Sequence, residues 1–253
     1  MSAFALRLIA FITMLIDHVA AVYRVQLSSV SPWLYLACRM IGRLAFPLFV
    51  FGVAEGVRHT KSPQKYALRM FIFALVSQIP FSLMQGTANA YGTLVIFGRN
   101  VGYSLTLSVM VPLFLGLVIC LAVKEKNTVW GAFALIAAYA IDKTIGMDYG
   151  LMGVLFILAV YLAGEKKLPR FIVMLAFPVL FYFEPMKDAV MQMAGTHVLN
   201  LTPNVMLCLS MMASALLVLF YNGKQGKKLG VWGYFFYPVH LIIILVTYYI
   251  TVK

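Results

Sequence analysis

The sequence predicts an all-α fold: a polytopic membrane bundle of about nine transmembrane helices, N-in and C-out, formed by residues 1–253 as a single domain. Three observations carry this. Of the 253 residues, 63% are hydrophobic and only 11% charged, against about 25% charged in a typical soluble domain, which excludes most soluble classes. Apolar runs recur along the whole chain with short polar loops between them. Lysine and arginine also alternate in abundance from one loop to the next, as the excess of cations in cytoplasmic loops requires.

Taken in order, the apolar segments are residues 4–23, 32–56, 66–84, 101–123, 129–141, 149–163, 171–183, 205–221 and 231–250. The fifth is the weakest, and the sixth and seventh are also shorter than the roughly 20 residues a straight span needs. With the N-terminus in the cytoplasm, inner loops hold twelve cations. These are Arg58, Lys61, Lys65, Arg69, Lys124, Lys126, Lys166, Lys167, Arg170, Lys224, Lys227 and Lys228. The outer side holds five: Arg24, Arg99, Lys143, Lys187 and Lys253. Dropping segment five would break this alternation. The connection from Glu184 to Asn204, which contains Met191, Met193 and Leu199, has the composition of an interfacial or re-entrant piece.

The net charge of +12 follows from those loops. No basic stripe with interleaved aromatics lies outside the spans, so no nucleic-acid partner is expected; the surroundings are membrane lipids. Cys38, Cys120 and Cys208 are scattered through apolar runs, without the spacing of metal ligands, and no metal is expected. No internal repeat supports an inverted-repeat transporter.

Function is sought in polar groups inside apolar segments, because each is costly there. Segment one starts with Arg7 and ends with Asp17 and His18; His18 lies about 16 Å further along the axis than Arg7. Asp17 and His18 point about 100° apart. Segment two carries Arg39 and Arg43 on one face, too deep to snorkel easily, and two guanidiniums there want a carboxylate, a phosphate or charge developing in a reaction. An ion pair with Asp17 is the structural alternative. Glu55, nearer the inner end, suits a pairing with Arg58 or Arg69. Segment three contains Ser77-Gln78-Ile79-Pro80, where the proline should kink the helix and Gln78 can bond across the bundle. Asn100 opens segment four and Asp148 opens segment six, both positions suited to helix capping. Segment nine holds Pro238 and His240 at mid-span. With no zinc motif, P-loop, nucleophile elbow or dinucleotide fingerprint, the chemistry left is a histidine with cationic helpers. That set suits acyl transfer, in which an imidazole takes a proton and arginines stabilise an oxyanion.

Arg7, ten intervening residues and His18 resemble the first-helix signature of membrane acyltransferases of the acyltransferase-3 type. A longer ordered set resembles the TraX family: Ile12–His18, Ile41–Pro47, Ser77–Phe81, Phe97–Val101, Met147–Gly150, Tyr221–Lys224 and Phe236–Leu241. The similarity covers essentially the full chain. It implies an acetyl-CoA-dependent membrane acyltransferase of the bacterial plasma membrane, of a family linked to N-terminal acetylation of conjugative pilin. His18 would then be catalytic, with Asp17, Arg39 and Arg43 beside it. Arg7, Arg58, Lys61, Asn100 and His240 would contact the donor. The chain departs from the expected pattern at Gln78, where an acid is expected. The acceptor stays open between a peptide N-terminus, a glycan and a small molecule. The rival class is a proton-coupled transporter with Asp17, His18 and His240 as its relay.

Overall fold

The structure is a computed structural model, and it describes residues 1–89, 92–96, 99–196 and 201–252. Helix α1 (Ala3–Val22) has no internal glycine or proline, and the Ser2 hydroxyl caps its start by accepting from the Ala5 amide. Its two faces are sharply divided. Leu6, Ala10, Met14, His18 and Val22 are buried; Leu8, Ile12, Leu15 and Val19 are exposed apolar residues on the opposite face. The first set recurs at four residues and the second at three and four, the spacings of a helical face. A polar histidine therefore sits on the inward stripe, while the stripe facing outward is apolar.

The short α2 (Arg24–Val30) leads to α3 (Pro32–Gly42) and α4 (Ala45–His59). The last two form one apolar stretch of 28 residues. Most of α4 is enclosed, from Ala45 to Val57, and it packs against α1 and against three helices described below. Helix α5 (Pro63–Asn89) runs unbroken through Pro80. Helix α12 (Trp232–Thr251) lies parallel to α1, as the ring pairs Phe11–Phe236, His18–His240 and Tyr23–Tyr248 show. At the α1–α3 contact a Cβ on Gly42 would fall 2.2 Å from Asp17 Oδ1. Only glycine lets the two backbones come this close.

The fourth expected segment is corrected. Residues 101–123 do not form one helix. Strands β1 (Gly92–Ile96) and β2 (Arg99–Tyr103) make an antiparallel hairpin, an extended stretch follows, and α6 runs only from Met110 to Lys124. The cause lies in neighbouring side chains. Gln78 donates to the Thr106 carbonyl at 3.0 Å and accepts from the Ser108 amide at 2.9 Å, and the Ser82 hydroxyl donates to the Ser104 carbonyl. These bonds satisfy the backbone in an extended form, and Pro112 then falls in the first turn of α6, where a missing N–H costs nothing.

Helices α7 (Thr128–Thr144) and α8 (Gly150–Leu162) pack beside α6, with α8 also against α4. Helix α9 (Lys167–Phe181) meets α10 (Phe183–Thr196) at a 90° bend. That bend gives the Glu184–Asn204 connection a helix of its own; Leu199 lies outside the described residues. Helix α11 (Pro203–Leu219) packs on α9, α3 and α4. Among the described residues four helical stretches are long and apolar enough to cross a membrane: α1, α3–α4, α5 and α12. The count is five if the bent α9–α10 pair is one span. The expected nine spans are therefore not reproduced: α6, α8 and α11 are apolar but short. The 13 residues of α8 reach only about 20 Å, against about 30 Å of hydrocarbon.

Candidate functional site

The site is built from one face of α1. Eleven residues are three helical turns plus about 20°, so Arg7 and His18 share a face. Phe11 and Met14 lie between them on that stripe. Two cavities meet along it. The larger, about 510 Å³, opens at the Arg7 end and is lined by Arg7, Phe11, Met14, Arg69, Lys228 and Tyr237 among others. The smaller, about 140 Å³, is lined by Asp17, His18, Arg39, Arg43, Asp148 and Tyr149. Met14, Phe49 and Val109 line both cavities and form the partition between them.

His18 is 9% exposed and His240 4%. His18 Nδ1 lies 2.7 Å from His240 Nε2, with the ring planes near parallel at an interplanar angle of 7° and the centroids 5.0 Å apart. His240 Nδ1 in turn lies 2.7 Å from the Phe236 carbonyl oxygen. Tyr237 stands edge-on to both imidazoles. Asp17, one residue away on α1, faces another helix. Its Oδ2 pairs with Arg39 Nη1 at 2.9 Å, and the same nitrogen donates to the Asp17 carbonyl at 3.2 Å. The ion pair that was the structural alternative for Arg39 is present, as is the expected divergence of Asp17 from His18. The pairing turns Asp17 away from His240, so the three residues of the relay reading do not form a chain.

Arg43 ends α3 and donates from Nη1 to the Tyr149 hydroxyl at 3.2 Å. Tyr149 is a residue the sequence reading missed. It precedes Gly150 with φ 61°, a left-handed conformation that costs a non-glycine residue about 1–3 kcal/mol and recurs at functional sites. It is held there by a stack on Phe46, with ring centroids 3.6 Å apart. The tyrosine within Asp148-Tyr149-Gly150 was the available signal. Asp148 precedes it in the turn outside the helices, and its amide donates to the Leu107 carbonyl at 2.9 Å. Burial pushes its carboxyl up to about 6, against the lowering effect of the nearby Arg43 guanidinium. Two buried atoms beside the cavity, Asp17 Oδ1 and Arg43 Nε, make no hydrogen bond. The site thus holds an unmatched acceptor and an unmatched donor next to an imidazole.

The other site candidates separate. Arg7 lines the larger cavity. Arg58 is committed elsewhere, at 2.6 Å from Glu55 and within 2.6–2.8 Å of the Tyr161 and Val160 carbonyls. Lys61 is exposed and is not among the residues lining either cavity. The backbone of Asn100 pairs with Val95 in the hairpin, so it opens no helix; its side chain lies outside the described part of the structure. His240, expected at the donor, faces His18. Asp148 does not cap α8 through its side chain: the capping position is Tyr149. Among the described residues no group of three or more His, Cys, Asp or Glu side chains could hold a metal ion.

The description "TraX protein" matches residues 2–248, nearly the whole chain. The chain belongs to the TraX family. It is 29% identical over 250 residues to the probable fimbrial assembly protein FimC, serogroup H1, of Dichelobacter nodosus, a match covering 96% of this chain and 94% of that protein. No solved structure matches it. The apolar helices described above are compatible with a membrane protein of this family.

Proposed function

We propose that this TraX protein is a multi-pass acyltransferase of the bacterial inner membrane that moves an acetyl group from acetyl-CoA to an amine or hydroxyl acceptor. The observation that supports it most is the position of His18, which lines the smaller polar cavity four residues beyond Met14, one of the residues that wall this cavity off from the larger, cation-rimmed one. The larger cavity fits the donor's chemistry. Arg7, Arg69 and Lys228 would hold its phosphates, and the apolar stripe of Phe11 and Met14 would take the pantetheine arm. Arg58 and Lys61 are left out of this role by their placement.

Bound acetyl-CoA supplies an activated acyl group as a thioester. The residues do the rest. His18 turns Nδ1 to His240, so Nε2 is the nitrogen left to act as base. It takes the proton from the acceptor as the new bond to the carbonyl carbon forms and the C–S bond breaks, then returns that proton to the departing thiolate. Arg43 and Arg39 carry the negative charge that develops on the carbonyl oxygen. The acceptor enters through the smaller cavity; a fimbrial peptide, given the relative's name, is one candidate beside a glycan or a small molecule. With the cation-rich loops inside, the Arg7 end faces the cytoplasm, where the donor is.

The test is release of free CoA thiol by the purified protein in lipid, with acetyl-CoA and a panel of amine and hydroxyl acceptors. The wild type releases thiol in an acceptor-dependent way, and His18→Ala loses at least about 100-fold of that rate while keeping its fold. A folded His18→Ala protein at the wild-type rate would sink the assignment.

A further inference from the structure

The contacts around His240 fix where the hydrogens of both imidazoles sit, because only some of these atoms can donate. The Phe236 carbonyl only accepts. His240 Nδ1, 2.7 Å from it, must therefore carry the hydrogen. In a neutral imidazole Nε2 is then the bare nitrogen. His18 Nδ1 lies 2.7 Å from that bare nitrogen, so the hydrogen between the rings belongs to His18. The bare nitrogen of His18 is then Nε2. No other neutral arrangement satisfies both contacts. The reverse tautomer of His18 would put two lone pairs against each other and leave the hydrogen on Nε2, where it blocks base chemistry.

We propose that His240 is a positioning residue for His18: it accepts the Nδ1 proton, fixes that ring as the Nδ1–H tautomer and so presents the Nε2 lone pair. The inference rests on the acyltransfer reading of the same site. The arrangement does what a carboxylate does for the histidine of a catalytic triad, with a neutral ring in place of the acid. A neutral partner suits this location. Arg39 and Arg43 line the small cavity beside the pair together with the Asp148 carboxyl, and Tyr237 and Phe236 lie against the rings. The one nearby carboxylate on α1, Asp17, is already paired with Arg39. The orienting chain ends on α12's own backbone. His240 bonds the carbonyl four residues back on its helix, so the helix fixes the first ring and the first ring fixes the second. This explains why a histidine recurs 222 positions after His18 and beside Pro238, in a segment otherwise apolar.

The experiment has two arms. The first needs no activity. Full-length protein labelled with ¹⁵N-histidine in lipid bilayers is examined by solid-state NMR, with His18 assigned by difference from His18→Ala. The expected result is a protonated Nδ1 and bare Nε2 on His18, with a ¹⁵N–¹⁵N coupling across the ring-to-ring hydrogen bond. A His18 protonated on Nε2, or no coupling, overturns the proposal whatever the enzyme's substrate. The second arm is kinetic. His240→Phe keeps an aromatic ring but removes the acceptor, and it lowers kcat on the order of 100-fold with KM for acetyl-CoA within about 2-fold of wild type. His240→Gln, whose amide oxygen accepts from the same position, recovers at least about tenfold of the loss. Equal damage by both variants, or a loss expressed in KM alone, overturns the positioning role. Should the NMR pattern hold while His18→Ala retains full transfer, the acyltransfer reading fails and the tautomer assignment stands.

Discussion

Two buried ionic clusters in this molecule use the same residue types to opposite ends. At the Arg7 end Glu55, 6% exposed, is surrounded by Arg58 at 2.6 Å, His59 at 3.4 Å and Arg170 at 3.7 Å. Those arginines also bond the terminal carbonyls of α8 and the turn beyond it, through Val160, Tyr161 and Gly164. That cluster staples α4, α8 and α9. At the His18 end Asp17 and two arginines again meet, but Asp17 Oδ1 and Arg43 Nε lack partners and the groups line a cavity. A buried charge cluster with its partners in place holds a fold together. One that leaves donors and acceptors facing a cavity has capacity for a ligand.

Breaking each cluster should separate stability from activity. The largest expected effect on stability is at the first. Arg58→Ala leaves Glu55 buried with part of its pairing gone and removes two carbonyl contacts, at a cost of about 3–5 kcal/mol. The check is thermal unfolding in detergent, with donor affinity of the folded fraction unchanged. Arg43→Ala sharpens the contrast from the other side. It lowers turnover on the order of 100-fold by removing charge stabilisation, with a smaller fall in the unfolding midpoint than Arg58→Ala produces. Gly42→Ala perturbs the second cluster without touching a charge. Its methyl meets Asp17 atoms at 2.2–2.5 Å, forces α1 and α3 apart and costs about 1–3 kcal/mol; activity falls with it because the Asp17–Arg39 pair is lost.

The smallest effect concerns Asp148. Its raised carboxyl favours the protonated form in the folded state. The wild type therefore gives up stability at this position as pH rises from the ordinary carboxylate range through about 6. Asp148→Asn removes that dependence, so its unfolding midpoint relative to wild type is higher at pH 7 than at pH 5. Equal differences at both pH values would contradict the assignment.

Much of the second cluster was legible from sequence because it depends on local geometry. Helical spacing puts Arg39 and Arg43 on one face, and adjacency turns Asp17 away from His18. What the spacing could not say is which partner each group would meet. Arg58 reads the same whether it awaits a phosphate or caps a helix; only the packing of α8 decides. The pairing of β1 with β2 was not legible: residues 92–100 fall in the connection before the fourth segment, and Val101–Tyr103 read as the start of a span. The deciding bonds come from Gln78 and Ser82, on a different helix. The departure from the expected acid at Gln78 then has a physical reading. An amide can both donate to Thr106 and accept from Ser108, and a carboxylate could not do the first. Tyr149 was hidden for the same reason, its role resting on Phe46 and Arg43 more than a hundred residues away.

The most direct measurement is a structure of the full-length protein in lipid with a non-hydrolysable acetyl-CoA analogue, in which a thioether replaces the thioester. The account predicts phosphates against Arg7, Arg69 and Lys228, an arm passing Phe11 and Met14, and the acyl-bearing carbon beside His18 Nε2. An analogue bound outside this cavity, or one whose arm ends at the partition without reaching His18, would contradict it.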